Sequence, residues 1–209
     1  MPRDGEFLQV AVDRADRLKY CERRMTKPAW NIAYVGIGSN LGDKVKNCIE
    51  AIHHIHAHPE CEVLRISSFY ETEPLSKHNV QPGGWYVNGA VKIKTRLGAV
   101  KLLNFLLEVE GKLGRPAQRE KWSPRTIDLD LLFFNDEIIK TGPLRVPHPE
   151  LHKRRFALEP LAEIAPDLVH PVKGQKIEAL LTHLIDNKKV TPLFHFYLSR
   201  NSNESFGPT

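Results

Sequence analysis

The stretch Arg125-Thr126-Ile127-Asp128-Leu129-Asp130-Leu131-Leu132-Phe133-Phe134, RTIDLDLLFF, reads as a buried strand that carries two acids. Side chains alternate along a strand, so Asp128 and Asp130 share one face while Ile127, Leu129 and Leu131 share the other. Two carboxylates side by side call for a cation. Hard oxygen ligands in this arrangement suit Mg2+, which takes few protein carboxylates and completes its shell with water and substrate phosphates. The competing reading of a bare D-x-D is an acidic face turned to solvent; the apolar continuation from Leu131 to Phe134 weighs against it.

Working upstream, GRPAQREKWSPRT places Arg115, Arg119, Lys121 and Arg125 around Trp122. Cations beside a metal site suit a polyphosphate, because arginine forks bind phosphate oxygens with paired hydrogen bonds. A loop holding Gly114, Pro116 and Pro124 is also shaped to fold over a ligand. On composition alone a solvated basic loop fits equally well. From Gly98 to Leu113 the apolar positions recur at helical spacing, and Gly114 with Arg115-Pro116 closes that helix.

Further upstream, Ile32 to Ile37 is a short apolar strand running into Gly38-Ser39-Asn40-Leu41-Gly42-Asp43. A helix with the row Val45, Ile49, Ile52 and Ile55 follows, ended by Pro59. Cys61 to Tyr70 and Tyr86 to Lys94 read as strands joined by a long loop. The order strand, helix, strand, strand, helix, strand predicts an α+β, ferredoxin-like βαββαβ core with a mainly antiparallel sheet. Downstream, helical additions are expected around Phe156 to Ile164 and Ile177 to Ile185. The division expected is an N-terminal extension over 1–30, one domain over 31–186 and a tail over 187–209. Met25 lies just before the first strand and is a candidate start.

Composition sets outer limits. With 41% hydrophobic and 26% charged residues the chain reads as soluble and globular, and no apolar run reaches the roughly 18 residues of a membrane span. Cys21, Cys48 and Cys61 form no C-x-x-C pair, which argues against a disulfide framework or zinc ribbon and for a reducing compartment. The net charge of +5 favours anionic partners, but the 25 acids are mixed among the basic residues, unlike a nucleic-acid polycation. The first 30 residues carry no signal core, and their acids do not suit a transit peptide.

Other residues leave alternatives open. Leu103, Leu106, Glu110 and Leu113 fall on one helical stripe, so Glu110 either meets a partner or lies at the stripe's edge. Of the histidines 53, 54, 56 and 58, only His54 and His58 are i,i+4, with no adjoining carboxylate motif for zinc. Gly36-x-Gly38-Ser39-Asn40 lacks the phosphate-loop lysine and the dinucleotide spacing, and reads as a tight structural turn. Tyr86 and Phe156 either sandwich a flat heterocycle or serve the core, as isolated aromatics more often do, and Asn88, on the same strand face as Tyr86, offers both donor and acceptor.

The segments AYVGIGSNLGD, SSFYETEPL, YVNGAV, LEVEGKLGR, WSPRTIDLDLLFF and VPHPELHKRRFALEPLAEIAPDLVHP together resemble 6-hydroxymethyl-7,8-dihydropterin pyrophosphokinases, over about Ala33 to Pro171. The resemblance implies transfer of pyrophosphate from ATP to the hydroxymethyl group of a reduced pterin in folate biosynthesis. It implies two Mg2+ ions on Asp128 and Asp130, and a pterin pocket of Thr72, Pro74, Leu75, Tyr86, Asn88 and Phe156. On the ATP side it implies Glu110, Arg115, Trp122, Arg125, Leu131, His148 and Arg154, with Arg115 and Arg125 on a mobile catalytic loop. A cytoplasmic monomer with ATP and pterin as partners, and no nucleic-acid or membrane partner, is the corresponding expectation. Departures from the family pattern are Glu73 where some members have proline, Ala117 and Gln118 in place of basic residues, and Pro143, Arg145 and Pro149 at the nucleotide rim. Two rivals remain: a nucleotidyltransferase, which releases pyrophosphate, and a ferredoxin-like nucleic-acid module, which needs no paired metal ligands.

Overall fold

The computed structural model describes residues 29–74, 84–115 and 124–194. Leu75, Trp122, Arg119 and Lys121 lie outside the described residues. Strand β1 (Asn31–Ser39) leads into helix α1 (Lys44–His56), whose N-terminus is capped by the Asp43 carboxylate accepting from the Lys46 N–H at 3.1 Å. Then come β2 (Cys61–Ile66), β3 (Phe69–Thr72), β4 (Tyr86–Thr95), α2 (Ala99–Lys112) and β5 (Asp128–Phe134). β1 lies between β4 and β5, β4 between β1 and β2, and every one of these pairs is antiparallel. This is the expected split β-α-β arrangement, since each helix connects two strands that flank a third.

The strand expected over Cys61 to Tyr70 is in fact two. At Ser67-Ser68 the ladder is interrupted, and the Ser67 hydroxyl accepts from the Ala90 N–H at 2.9 Å while Phe69 packs against Gly89, where a Cβ would lie 2.8 Å from its ring. Both β2 and β3 nevertheless pair with β4. A hairpin of β6 (Ile139–Thr141) and β7 (Leu144–Val146) follows β5, with helix α3 (Arg155–Ile164) after it. The short pair β8 (Val169–His170) and β9 (Gln175–Lys176) precedes α4 (Ile177–Thr182). The tail expected from residue 187 contributes a further strand, β10 (Val190–Phe194), antiparallel to β3 at the sheet edge. Its short, proline-containing sequence gives little burial pattern, and β3's unpaired edge is what recruits it.

Each face of the sheet is covered. Ala33, Val35, Ile37, Val91, Ile93, Leu129 and Leu131 pack with Cys48, Ile52 and Ile55 of α1 and Leu102, Leu106 and Val109 of α2. On the opposite face Tyr34, Ala90, Leu132 and Phe133 pack with Leu158, Leu161 and Ile164 of α3 and Ile177 and Leu180 of α4. A register shift opposite Tyr34/Val35 leaves Leu132 as an extra residue in β5. The bulge lets both Leu132 and Phe133 serve the second core.

Candidate active site

The second face has an end that carries polar groups. Gly38 of β1 is paired with Asn88 of β4 on one side and Asp128 of β5 on the other; one step along, Gly36 is paired with Ala90 and Asp130. Paired residues project to the same face, so Asn88, Asp128 and Asp130 stand around a floor of two glycines. The Gly36-x-Gly38 motif is therefore not the turn expected from its spacing but part of the central strand β1. The reason lies across the sheet: a Cβ on Gly38 would fall 2.7 Å from Asn88 Oδ1, and one on Gly36 would fall 3.3 Å from Leu132. β3 extends the row, because Tyr70 pairs with Asn88 and Thr72 with Tyr86. Asn88 donates to Thr72 Oγ1 at 2.6 Å, which leaves its carbonyl oxygen over Gly38.

The two carboxylates differ in their surroundings. Asp128 forms ion pairs with Arg125 and, at 2.7 Å, with Arg115. Asp130 accepts no hydrogen bond among the described residues; burial and then the charge of Asp128 push its carboxyl above the usual range, opposed by His148, Arg154 and Arg125. His148 is held below the usual imidazole value, mainly by burial. The Arg154 guanidinium, at the N-cap of α3, lies 5.8 Å from the centre of the Phe156 ring.

Glu110 settles the question its helical stripe raised: it has partners, and they are inside the protein. Only 3% exposed, it accepts from the Leu129 N–H of β5 at 2.6 Å and from Arg115. Gly114, at φ +85°, ends α2 with a left-handed turn in which the Arg115 N–H donates to the Glu110 carbonyl at 3.0 Å. That turn returns the Arg115 side chain over Glu110 and toward Asp128. Arg125 is fixed at the other end of the segment by Asn40, whose Oδ1 accepts from the Arg125 N–H at 2.8 Å and whose N–H donates back to the Arg125 carbonyl at 3.2 Å. Sequence reasoning took Asn40 only as part of a structural turn; an asparagine directly after an apolar strand was the available signal, and the structure buries it.

Of the candidate residues, Thr72, Tyr86, Asn88, Asp128 and Asp130 share one sheet face. Arg115, Arg125 and Arg154 supply positive charge around the two acids, with His148 beside Asp130. Leu131 is different: its side chain lies in the core of the α1/α2 face. β5 is a terminal strand, and the Leu129 N–H already points off its outer edge to Glu110, so the Leu131 backbone groups two residues on point off that edge as well. Leu75 and Trp122 lie outside the described residues. No group of three or more potential metal-binding side chains occurs among the described residues.

Residues 34–166 match the family model for 7,8-dihydro-6-hydroxymethylpterin-pyrophosphokinase (HPPK). The 2-amino-4-hydroxy-6-hydroxymethyldihydropteridine pyrophosphokinase of Bacillus subtilis is 43% identical over 134 residues, spanning 64% of this chain and 78% of that protein. The Haemophilus influenzae enzyme of the same name is 39% identical over 158 residues, spanning 76% of this chain and 96% of that protein. A crystal structure of Plasmodium falciparum HPPK-DHPS superposes with a TM-score of 0.60 at 15% identity, over 83% of this chain and 50% of that one, and so shares the fold. With the fold, the paired aspartates and these likenesses in hand, the chain belongs to the 7,8-dihydro-6-hydroxymethylpterin-pyrophosphokinase family.

Proposed function

We propose that the glycine-floored end of the sheet is where this chain transfers pyrophosphate from ATP to the hydroxymethyl group of 6-hydroxymethyl-7,8-dihydropterin, giving AMP and the pterin diphosphate. The observation that carries this placement is the row Asn88, Gly38, Asp128. Neighbouring strands are about 4.8 Å apart, so an amide that can read the edge of a heterocycle stands about 10 Å from a carboxylate that can hold a metal. The floor between them has no side chain. A two-ring heterocycle with a hydroxymethyl group at its far end spans such a gap, with its ring edge at Asn88 and its hydroxyl toward Asp128 and Asp130.

In this reading Tyr86 and Phe156 stack on the pterin, and Thr72 orients the Asn88 amide that pairs with it. Asp128 and Asp130 would hold two Mg2+ ions, and the donor set fits: two hard oxygen groups on one face, one of them without a hydrogen-bond partner among the described residues. Metal held there would supply charge to neutralise the polyphosphate and favour ionisation of the substrate hydroxyl. The hydroxyl oxygen, its proton passing to solvent, bonds to the β-phosphorus as the bond from that phosphorus to the α-β bridging oxygen breaks, and AMP leaves with that oxygen. Arg115 and Arg125 leave Asp128 for the phosphates as charge moves to the leaving group, Arg154 and His148 flank the nucleotide, and Leu131 contributes backbone groups. Glu110 acts on the nucleotide through Arg115. We assign the reaction to a cytoplasmic monomer; the free buried Cys48 and Cys61 support a reducing compartment.

Incubating the protein with ATP, Mg2+ and the pterin should yield AMP and pterin diphosphate in equal amounts, with none when any component is omitted. Release of inorganic pyrophosphate would mean attack at the α-phosphorus and a nucleotidyltransferase. Asn88→Ala should raise the KM for pterin and leave that for ATP unchanged; the reverse pattern would overturn this orientation of the pterin.

A further inference from the structure

The residues between α4 and β10 connect two places that are distant in sequence and adjacent to opposite sides of the proposed pterin pocket. From Leu184 to Thr191 the chain alternates: Leu184, Asp186, Lys188 and Val190 are half-buried, while Ile185, Asn187, Lys189 and Thr191 are exposed. Such alternation marks an extended segment lying along a surface. At its start, the Asp186 carboxylate accepts from the Arg155 N–H at 2.9 Å, and the Asp186 carbonyl accepts from Arg155 Nε at 2.9 Å. Arg155 opens α3, between Arg154 and Phe156. Two residues later the segment reaches β3. Lys188 pairs with Glu73 at 3.2 Å, the Lys189 N–H donates to the second Glu73 oxygen at 3.3 Å, and the Glu73 N–H donates to the Lys189 carbonyl at 3.0 Å. Val190 then pairs with Thr72, and β10 continues along β3. Within the segment itself, Asp186 also accepts from the Lys188 N–H at 3.1 Å, which stiffens the link.

We propose that residues 186–190 are a strap that sets the width of the pterin pocket, with Asp186 and Glu73 as its positioning residues. One end holds the turn of α3 that presents Phe156; the other holds the end of β3 that presents Thr72 and Pro74. Neither Asp186 nor Glu73 touches the reacting atoms. Their effect is on how closely the Phe156 ring approaches the face bearing Thr72, Tyr86 and Asn88, and so on the affinity for a flat ring of defined thickness. On the ATP side Glu110, Arg115, Arg125 and Leu131 rest on α2, β5 and the residues next to them, whereas the anchors of the strap are at the start of α3 and the end of β3, where Arg154 alone of the described nucleotide residues borders them. The strap should therefore discriminate between the two substrates. This proposal rests on the pterin pocket assigned above.

The experiment is a double-mutant cycle in the full chain, with Asp186→Ala cutting one end and Glu73→Ala the other, and KM for pterin, KM for ATP, kcat and melting temperature measured for each. Each single change should raise the pterin KM about fivefold, the size of one partly buried charged contact, with the ATP KM unchanged. Because losing the side-chain anchor at either end slackens the same link, the double variant should be no worse than the worse single variant. Glu73→Gln, which keeps acceptors for the Lys189 N–H, should recover part of the loss. Additive effects of the two changes, an unchanged pterin KM, or a parallel loss in both KM values and kcat that follows the melting temperature would overturn the proposal. Asn88→Ala serves as the control: if it too leaves the pterin KM unchanged, the pocket assignment fails; if it raises that KM while the strap variants do not, only the strap fails.

Discussion

The unequal settings of Asp128 and Asp130 predict that removing one charge or the other has opposite effects on the metal-free protein. The two residues are two positions apart on one strand, so their carboxylates are about 7 Å apart. At an effective dielectric constant near 20, repulsion at that distance is about 2 kcal/mol. Asp130 also carries the cost of burial. Asp130→Asn removes both and should stabilise the metal-free chain by about 1–2 kcal/mol, raising its Tm by about 3–6 °C at this size. Asp128→Asn relieves the same repulsion but breaks the contacts with Arg115 and Arg125, in side chains that are 9% and 18% exposed beside an aspartate 25% exposed. Charged hydrogen bonds of this kind contribute about 1.5–3 kcal/mol each, so the net effect should be a loss of about 1–4 kcal/mol. The assay is a thermal melt in chelator, repeated with Mg2+ and ATP, alongside AMP formation. Both variants should lose turnover by about 10²-fold or more, and neither should gain Tm from Mg2+ and ATP as the parent does. Equal Tm shifts of the same sign, or near-normal AMP formation by both, would refute the reasoning.

Three further outcomes follow from the same geometry. Gly38→Ala puts a Cβ 2.7 Å from Asn88 Oδ1, so the amide must rotate; the pterin KM should rise about tenfold or more while the ATP KM stays within about twofold, measured by steady-state kinetics. Glu110→Ala strands the Leu129 N–H and leaves Arg115 without its buried partner, costing about 3–5 kcal/mol in a denaturant melt, with a larger loss in turnover than Glu110→Gln. Stability of the chelator-treated protein should fall as pH rises above about 4, the ordinary carboxylate value, toward Asp130's raised folded-state value, because over that window the unfolded chain releases a proton that the folded one keeps. Asp130→Asn should flatten that fall in melts at stepped pH.

What the sequence determined by itself is what is written in short-range order. Alternation along RTIDLDLLFF put both aspartates on one face, helical spacing located α1 and α2, and the order of elements specified the split β-α-β core, because each of these rests on neighbours within a few residues. Single positions with special chemistry were also legible by resemblance, and Thr72, Tyr86 and Asn88 do share a face with the aspartates. The tertiary structure alone decided how that face is furnished. Gly36 and Gly38 became a floor rather than a turn only because β4 and β5 bring Asn88 and Leu132 against them. Arg115 and Arg125 became partners of Asp128, and not of Asp130, only through the turn at Gly114 and the hold of Asn40 on Arg125, 85 residues away. The strand after α4 and the contact of Lys188 with Glu73, 115 residues apart, have no local pattern at all. Such pairings are set by register between strands, which a chain settles only when its distant segments pack.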